Sequence, residues 1–358
     1  MATTVGVVGA GLAGRLLALA LARAGRTVTV FEQTDDSGRR SCAWTGAGMI
    51  APYCEQESAE RVICELGLRA LELWPEWLKT LALPVFYQSA GSLVVAHPRD
   101  AAELQRLERE VRARGSGPDV LQILDTAGIA QLEPELAGRF HRGLFFPREA
   151  QIDNWQLLPA LLKSLTAADV TCHFNTTVTD LKPGRLTAAG QERKFDLVCD
   201  CRGLGAEADL PDLRGVRGEL LHVTAPDVKL RRPVRMMHPR YPLYIVPREQ
   251  DRYVIGATKI ESNDLSPISV RGAMELLTAA YALHPGFAEA RIIETSTNCR
   301  PAMRNNLPLV EIRPGLVRLN GMFRHGFLIA PALVEGIVSQ LTNGRVDGVV
   351  AEIARVTP

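Results

Sequence analysis

The chain has 358 residues, more than one ordinary hydrophobic core contains, which favours two closely joined domains. Apolar residues make up 46% of the sequence and charged residues 23%, which is typical of a globular protein and excludes a largely disordered chain. Lys and Arg number 41 against 40 Asp and Glu, so the net charge is +1, and with no basic run the sequence gives no indication of nucleic-acid binding.

The N-terminal apolar segment does not have the pattern of a signal peptide or a spanning helix. It has no basic lead-in, it contains several glycines, and Arg15 and Arg23 interrupt it. We therefore expect a cytoplasmic protein without a membrane segment. The seven cysteines are scattered and odd in number and the seven histidines are isolated, so we expect reduced thiols and no metal.

The first chemical motif is a glycine turn between a strand and a helix. An apolar run at residues 5–8 precedes Gly9, Gly11 and Gly14, and an Ala- and Leu-rich helix is predicted over residues 16–23. In this G-x-G-x-x-G pattern the first glycine permits the turn and the second lets the backbone approach a pyrophosphate. The third lets the helix pack closely on the strand.

An acidic residue follows at the distance that dinucleotide binding requires. A second strand is predicted over residues 27–31 and ends at Glu32, about 20 residues after the glycines. Its carboxylate can accept ribose hydroxyls and would repel a 2′-phosphate, which favours FAD or NAD over NADP. Glycine turns also join strands to helices without a ligand, but a turn with its strand, helix and acidic residue favours a dinucleotide.

Two further segments favour FAD over NAD. Residues 44–52 are too glycine-rich for a core strand and would let a flat ring approach the backbone. Near the C-terminus, a strand at residues 317–320 is followed by a second glycine turn at residues 321–326 and by a helix that opens at Phe327. The positive end of that helix can stabilise the negative charge of a reduced flavin, which NAD would not need.

The sequence resembles the FAD-dependent amine oxidases of the glycine oxidase, D-amino-acid oxidase and monomeric sarcosine oxidase group. The resemblance is greatest to the bacterial glycine oxidases of thiamine biosynthesis. The resemblance spans nearly the whole chain in family order. The segments that carry it are residues 9–14 with Glu32, 47–52 (AGMIAP), 244–248 (YIVPR), 256–258 (GAT), 299–301 (CRP) and 323–331 (FRHGFLIAP).

The resemblance implies an α/β fold with a discontinuous Rossmann-like FAD-binding domain and an antiparallel-sheet α+β substrate domain. The expected FAD-binding domain comprises residues 1–82, 146–212 and 296–358, and the expected substrate domain comprises residues 83–145 and 213–295. The expected FAD-binding residues are Gly9, Gly11, Gly14, Glu32, Arg40, Ser41, Ala47, Gly48, Met49, Val178, Gly203, Arg324, Gly326, Phe327 and Leu328.

Three residues match the family's substrate site. Arg300 matches the carboxylate-binding arginine, and a guanidinium can make two parallel charge-assisted bonds to a carboxylate. Tyr244 matches the active-site tyrosine, and Arg324 matches an arginine beside the flavin and the substrate. The alternatives are a structural arginine, a packed strand aromatic and an arginine that pairs within the last turn.

Lys259 is the main departure from bacterial glycine oxidases, which have methionine at this position, whereas sarcosine and N-methyltryptophan oxidases resemble this chain in having lysine. The resemblance implies a cation near the flavin that favours electron transfer to O2; the alternative is a solvent-facing lysine. Cys299 lies near the position where sarcosine oxidases attach flavin covalently. We expect a buried thiol and noncovalent FAD instead.

The function that this resemblance implies is oxidation of small amines that carry a carboxylate, with FAD as cofactor, O2 as acceptor and hydrogen peroxide as product. Three alternatives stay open: an accessory flavoprotein that modifies a partner protein during quinone-cofactor maturation, a quinone-linked amino-acid dehydrogenase, and an FAD-binding protein without catalysis. The first alternative would require a partner protein. An amine oxidase is compatible with a homo-oligomer.

Overall fold

The computed structural model describes residues 3–57, 59–114, 117, 119–238, 243–346 and 348–357. The α-helices in these ranges are α1 (Leu12–Arg23), α2 (Arg61–Lys79), α3 (Ala101–Ala113), α4 (Thr126–Leu132), α5 (Asn154–Ala167), α6 (Val270–Leu283) and α7 (Gly326–Asn343). Short 3₁₀ turns lie at Cys54–Glu57, Pro98–Asp100, Pro134–Leu136, Gly203–Ala206, Pro285–Glu289 and Gly348–Glu352.

The strands are short, except for two long ones in the second half of the chain. They are β1 (Thr4–Val8), β2 (Thr27–Phe31), β3 (Met49–Ile50), β4 (Tyr87–Gln88), β5 (Ser92–Ala96), β6 (Gln122–Asp125), β7 (Arg142–Phe146), β8 (Ala150–Ile152), β9 (Thr171–His173), β10 (Val178–Lys182), β11 (Arg185–Ala188), β12 (Gln191–Lys194), β13 (Leu197–Asp200), β14 (Leu213–Thr224), β15 (Val234–Met237), β16 (Leu243–Pro247), β17 (Arg252–Gly256), β18 (Ile260–Glu261), β19 (Arg291–Met303), β20 (Leu309–Arg313), β21 (Leu316–Asn320) and β22 (Ala354–Val356).

The first large sheet has the order β22-β20-β21-β13-β1-β2-β9 and is parallel from β21 to β9. Its inner strand β1 is buried from Val5 to Val8, as expected for a strand covered on both faces. Helices α1, α5 and α7 pack against this sheet in one core. Because parallel strands end at the same edge, β1, β2 and β13 deliver Gly9, Glu32 and Cys201 to one side of the sheet.

The second large sheet has the order β18-β14-β17-β16-β15-β5-β7-β6, with β19 paired to β14. It was expected to be antiparallel, and most of its pairs are, but β5 and β15 are parallel. The two strands come from distant parts of the chain, so no hairpin fixes their relative direction. Helix α6 covers one face of this sheet through Leu276, Ala279 and Leu283.

Two small sheets complete the fold, one with the order β10-β11-β12 and one with the order β3-β8-β4. The chain therefore has the mixed α/β architecture that was expected, with a Rossmann-like part and a second sheet. The predicted division between residues 295 and 296 falls inside β19, which pairs with β14 from Arg291 to Met303. The domain boundaries accordingly stay a prediction.

Two local predictions need correction. The first helix begins at Leu12 and not at Leu16, because the last part of the glycine motif, from Leu12 to Gly14, lies in the first helical turn. The segment 44–52, expected to hold no core strand, contains the short strand β3. The sequence also predicts a charged amphipathic helix that begins near residue 100 and ends at the Gly-Ser-Gly-Pro segment 115–118, and a strand over residues 241–247. Of these, residues 115, 116, 118, 241 and 242 lie outside the described residues.

In the described ranges no helix is long and apolar enough to span a bilayer. The same residues contain no group of three or more His, Cys, Asp or Glu side chains placed to hold a metal ion. The cysteines are all free thiols.

Candidate active site

The glycine turn after β1 has the shape that a dinucleotide requires. Gly9 has a φ of +97°, and a Cβ atom on it would lie 2.5 Å from the carbonyl oxygen of Cys201. Gly14 is equally constrained, since its Cβ would lie 1.8 Å from the Gly9 oxygen. Gly11 instead faces open space, where the nearest atom is the Ser41 Cβ at 3.8 Å. The turn is therefore closed on its inner side and open where a pyrophosphate would approach.

Glu32 is held beside this turn by three hydrogen bonds. One carboxylate oxygen accepts from the Ala10 N–H at 2.7 Å, and the other accepts from the N–H and the hydroxyl of Thr34, both at 2.9 Å. These bonds orient the carboxylate at the edge of the sheet, next to the start of α1. The sequence predicts this position for the group that binds the ribose.

The N-termini of α1 and α7 lie next to each other. A Cβ atom on Gly326, the first residue of α7, would have the Leu12 Cδ2 atom of α1 as its nearest neighbour, at 3.9 Å. Neither helix has a side-chain cap, with Gly11 and His325 in the capping positions. Two uncapped positive helix ends beside an open glycine turn fit FAD, with its pyrophosphate at α1 and its flavin ring at α7.

The buried side chain of Arg248 holds the backbone of residues 47–49 in place. Arg248 donates from Nη2 to the Ala47 carbonyl at 2.5 Å, and its Nη1 donates to the side chain of Gln151. Burial lowers the pKa of Arg248 to about 10, although the nearby Asp153 carboxylate opposes this. Gly48 has a φ of +60°, and a Cβ on it would lie 1.9 Å from the Ile152 oxygen. The backbone here is thus held in one conformation.

A cavity of about 540 Å³ lies between this segment, the second large sheet and the start of α7. It brings together part of the predicted site. The predicted residues that line it are Ala47, Gly48, Met49, Tyr244, Lys259, Arg300, Arg324, Phe327 and Leu328.

The remaining predicted cofactor residues are not among the described residues that line the cavity. They are Gly9, Gly11, Gly14, Glu32, Arg40, Ser41, Val178, Gly203 and Gly326. The Arg40 carbonyl accepts from Asn298, which does line the cavity, and the Gly203 carbonyl accepts from Asn320. Val178 begins β10, away from the cavity wall. An elongated dinucleotide would have to reach from the glycine turn to the cavity to touch both groups.

Arg300 is a half-buried cation in the cavity wall. Its guanidinium lies against Gly218, where a Cβ atom would be 2.3 Å from Nη2, and it donates to the carbonyls of Arg217 and Thr258 at 3.2 to 3.4 Å. Within the described ranges no carboxylate pairs with it. Burial lowers the pKa of Arg300, and the nearby Tyr244 side chain opposes this shift. A guanidinium so placed is suited to bind a carboxylate from the cavity.

Tyr244 lies on β16 with its ring against Gly256, where a Cβ atom would be 3.0 Å from the phenol oxygen. Burial raises the pKa of the Tyr244 hydroxyl, while the Arg300 guanidinium lowers it. The hydroxyl therefore keeps its proton at neutral pH and can donate a hydrogen bond into the cavity.

Arg324 is neutralised by a carboxylate that the sequence analysis did not identify. Its Nη2 lies 2.5 Å from Glu55 Oε2, and His325 Nδ1 lies 3.6 Å from the same oxygen. Burial alone would raise the pKa of Glu55, but the opposing charges of Arg324 and Arg235 lower it. Burial lowers the pKa of His325 to about 4, so this side chain is neutral at physiological pH.

Lys259 follows β17 at the mouth of the cavity and is exposed. Its ammonium lies 5.7 Å from the centre of the Phe323 ring, a favourable cation–π distance. No carboxylate of the described residues pairs with it. The side chain is thus a cation at the cavity rather than one arm of a surface ion pair.

Cys299 does not face the cavity. Strand β19 presents Asn298 and Arg300 to it, so the residue between them points to the other face of the strand. Its Sγ instead contacts the carbonyls of Ser262 and Asp264 at 3.4 and 3.5 Å. This orientation gives no support to a flavin thioether at Cys299, and noncovalent attachment stays a prediction.

Several residues that shape the cavity were missed in the sequence analysis: Cys42, Glu55, Gly218, Arg235 and His325. The chain around Glu55 shows no periodic or motif pattern that marks a functional carboxylate. Gly218 lies inside a strand, and a glycine there is itself a signal of close approach by another group. Of these five residues, Gly218 is the one that local sequence could have identified.

Comparison with known proteins agrees with this geometry. The FAD dependent oxidoreductase (DAO) family matches residues 4–339. A protein of Rhizobium etli named as a candidate thiamine biosynthesis oxidoreductase, ThiO, is 44% identical over 333 residues, which cover 93% of this chain and 94% of that protein.

Solved structures show the same fold. The crystal structure of glycine oxidase from Geobacillus kaustophilus is similar at a TM-score of 0.84 with 25% identity, over 97% of this chain and 96% of the other. That of iminodiacetate oxidase from Chelativorans sp. BNC1 also gives 0.84, at 22% identity over 99% of both chains. From the family match and the ThiO similarity together, this chain belongs to the FAD dependent oxidoreductase (DAO) family and is a glycine oxidase-like flavoenzyme.

Proposed function

We propose that this chain oxidises small amines that carry a carboxylate, of the glycine, sarcosine or N-substituted glycine type, and produces hydrogen peroxide. The observation that carries the proposal is the Arg300 guanidinium, which lies half-buried in the cavity wall without a carboxylate partner in the described part of the chain. A partly desolvated cation without an anionic partner favours an anionic ligand at this place. Similarity to proteins named as glycine oxidases supports the same substrate class.

The side chains of the cavity position the substrate. Arg300 would hold the carboxylate through two parallel bonds, and the Tyr244 hydroxyl would donate a further one. Bound FAD would supply the acceptor for the hydride of the substrate Cα and the route by which two electrons reach dioxygen. No strong side-chain base is needed, because the lone pair of the neutral amine assists loss of the hydride. The catalytic contribution of the chain is therefore orientation and electrostatics.

The atoms balance over the two halves of the reaction. The amine loses two electrons and two protons to become an imine, and water hydrolyses the imine to a 2-oxo acid and ammonia or a primary amine. Dioxygen gains the same two electrons and two protons to become hydrogen peroxide. The ammonium of Lys259, at the mouth of the cavity, would stabilise the negative charge that develops on dioxygen.

The alternatives of the sequence analysis are less well supported. An accessory flavoprotein would accept a residue of a partner protein, but the cationic cavity suits the carboxylate of a small free substrate better. A quinone-linked dehydrogenase would not need a cation for dioxygen, whereas Lys259 provides one. A purely structural FAD protein would have no use for a guanidinium in the cavity wall that has no carboxylate partner among the described residues. A cytoplasmic location and a homo-oligomer remain predictions.

Oxygen uptake by the purified holoenzyme tests the proposal. We expect uptake with glycine, sarcosine or N-ethylglycine and little with methylamine or ethylamine, which have the amine but not the carboxylate. Catalase should return part of the consumed oxygen if hydrogen peroxide is the product. Uptake that is equally fast without a substrate carboxylate would contradict the role of Arg300. Uptake only after a partner protein is added would favour the accessory-flavoprotein alternative.

A further inference from the structure

Glu219 is a buried carboxylate beside Arg300 that the proposed reaction does not use. It lies on β14 in the cavity wall and directly follows Gly218, whose backbone lies against the Arg300 guanidinium. Burial alone would raise the pKa of Glu219, but the hydrogen bond from the Ser269 N–H, together with those from neighbouring side chains, lowers it. Glu219 is therefore ionised at neutral pH and held by its partners.

The Glu219 carboxylate joins three segments of the chain. Its Oε1 accepts from Arg217 Nη2 at 2.7 Å and from the N–H of Ser269, the capping residue of α6, at 3.0 Å. Its Oε2 accepts from the Thr258 hydroxyl at 3.2 Å. The Glu219 N–H donates in turn to Thr258 Oγ1 at 2.9 Å, and the Thr258 N–H donates to the Glu219 carbonyl at 3.2 Å. Glu219 therefore fixes the positions of Arg217 and Thr258.

Arg217 and Thr258 are also the residues whose backbones hold Arg300. The Arg300 guanidinium donates to the Arg217 carbonyl at 3.2 Å and to the Thr258 carbonyl at 3.3 and 3.4 Å. Hydrogen bonds of this length are weak, so a small shift of either carbonyl would turn the guanidinium. Two parallel bonds to a carboxylate require the guanidinium in one orientation. The orientation of Arg300 thus depends on two residues that Glu219 holds.

We infer that Glu219 positions Arg300 for the substrate carboxylate by fixing Arg217 and Thr258, whose carbonyls orient the guanidinium. Glu219 is buried and acts through its neighbours, so it is a positioning residue. The inference rests on the proposed function for the meaning of Arg300 as the carboxylate site. It goes further in assigning the orientation of that site to a second carboxylate. A purely structural Glu219 would affect stability and leave the affinity for a carboxylate unchanged.

Acetate binding to the holoenzyme tests the inference without turnover. Acetate would be titrated while the absorption spectrum of bound FAD reports occupancy. For Glu219→Gln we expect the affinity for acetate to fall by roughly tenfold, because Arg300 is no longer held in the orientation that the ligand needs. Loss of a carboxylate from the cavity wall would by charge alone strengthen anion binding, so the sign of the change separates positioning from electrostatics. Unchanged or tighter binding would overturn the inference.

Glu275→Gln is the matched control. Glu275 lines the same cavity from α6, and in the described part of the chain it has no hydrogen bond to Arg217 or Thr258. This variant removes the same charge and leaves the carbonyls that hold Arg300 in place. We expect its affinity for acetate to equal or exceed that of wild type. An equal loss in both glutamine variants would show that any change of cavity charge weakens binding, and would overturn the inference.

Thr258→Val and Thr258→Ser decide the matter if Glu219→Gln does not retain FAD. Valine has the shape of threonine without the hydroxyl, so Thr258→Val breaks both hydrogen bonds at Oγ1, whereas Thr258→Ser keeps them. We expect a roughly tenfold loss of acetate affinity in Thr258→Val and an affinity like that of wild type in Thr258→Ser. Equal affinities in these two variants would overturn the inference.

The double variant E219Q/T258V tests whether the two residues act on Arg300 together. Because Glu219 and Thr258 share one set of hydrogen bonds, its acetate affinity should stay close to that of the weaker single variant. Independent effects would instead multiply to a loss of roughly a hundredfold, and that result would overturn the inference. Urea unfolding of the same proteins measures the structural contribution separately. Lower stability with the acetate affinity of wild type would make Glu219 a structural residue only.

The outcomes separate this inference from the proposed function. If wild type binds acetate and the variants behave as stated but no amine is oxidised, the inference stands and the proposed reaction fails. If amines are oxidised but acetate affinity does not depend on Glu219, the reaction stands and the inference fails. A wild-type protein that does not bind acetate would overturn the inference, whatever the result with amines.

Discussion

The glycine turn after β1 and the cavity around Arg300 are built in opposite ways. The turn is mostly local: Gly9, Gly11, Gly14 and Glu32 lie within one strand–helix–strand unit, and a distant segment contributes the close contact of Gly9 with Cys201. The cavity is assembled from segments far apart in sequence, with Glu55 before α2, Tyr244 on β16 and Arg300 on β19. A local unit can carry a readable motif, whereas an assembled site shows its chemistry only when the segments meet.

The two regions also differ in how their charges are arranged. At the turn, backbone N–H groups and helix ends supply partial positive charge, and Glu32 is hydrogen-bonded to the backbone. In the cavity, full charges face each other, and their balance depends on which carboxylate reaches which guanidinium. Changes at the turn should therefore affect binding of the cofactor, and changes in the cavity should affect the reaction.

The largest effect is expected for Arg300→Ala. A substrate carboxylate left without its guanidinium costs on the order of 2–5 kcal/mol. This corresponds to a roughly 30- to several-thousand-fold loss in kcat/KM with a carboxylated amine, while FAD content stays that of wild type. Arg271→Ala is the matched control, since Arg271 also lines the cavity but lies exposed on α6. Equal kinetics for Arg300→Ala and wild type would remove this arginine from the site.

Lys259→Met tests the reaction of the cavity with oxygen. Because the ammonium has no carboxylate partner in the described ranges, its removal takes away a cation and leaves no unpaired anion. We expect reduction of the flavin by substrate under nitrogen to change little and reoxidation by O2 to slow by one to several powers of ten, about 1.4 kcal/mol for each. Stopped-flow measurement of the two half-reactions separates them.

A reoxidation rate equal to wild type would show that Lys259 is only a solvated lysine. A selective loss of the reductive half-reaction would instead place it in substrate binding.

Gly11→Ala and Gly14→Ala separate two roles of the glycine turn, namely close packing at Gly14 and approach of the cofactor at Gly11. A Cβ at Gly14 would lie 1.8 Å from the Gly9 oxygen, so this variant should lose about 1–3 kcal/mol of unfolding free energy together with its FAD. A Cβ at Gly11 meets nothing nearer than 3.8 Å, so this variant should fold and bind FAD weakly. Denaturant unfolding of the FAD-free proteins and titration with FAD separate the effects. Normal FAD affinity in Gly11→Ala would contradict the placement of the pyrophosphate.

Glu149→Gln tests how the segment beside the cavity is supported, through a change in stability that depends on pH. The Glu149 carboxyl is buried and accepts from the N–H groups of Tyr53 and Cys54, just before Glu55. Burial raises the pKa of Glu149 to about 7, although the Cys54 contacts oppose this. In the folded chain this group therefore stays protonated to a higher pH than in the unfolded chain, and its contribution to stability is lost as pH rises from about 4.5 to about 7.

The variant removes this titration. The unfolding free energy of Glu149→Gln minus that of wild type should rise by up to about 3 kcal/mol between about pH 5 and about pH 8, measured by urea denaturation. Glu289→Gln, at an exposed carboxylate, should show no such trend. A difference that does not depend on pH would show that Glu149 is ionised in the folded protein at all pH values tested.

The comparison of the two regions also explains what the sequence could predict. The strand, turn, helix and Glu32 were predictable because short-range sterics and one carboxylate fix them. The predicted helix start at residue 16 was four residues too late, since the helix begins at Leu12 and includes Gly14. Arg300 and Tyr244 were identified by resemblance, and the cavity brings them together. The ionic state of Arg324 could not be predicted, because Glu55 becomes its neighbour only through the packing of α2 against α7.

The direct test of the account is a single turnover of bound FAD without oxygen. Purified protein should be yellow, and anaerobic addition of glycine or sarcosine should bleach the visible flavin bands. Admission of oxygen should restore the bands and release hydrogen peroxide in proportion to the bound flavin. A colourless protein that binds NAD, or a flavin spectrum that no carboxylated amine bleaches, would contradict the assignment of an amine-oxidising cavity beside the FAD site.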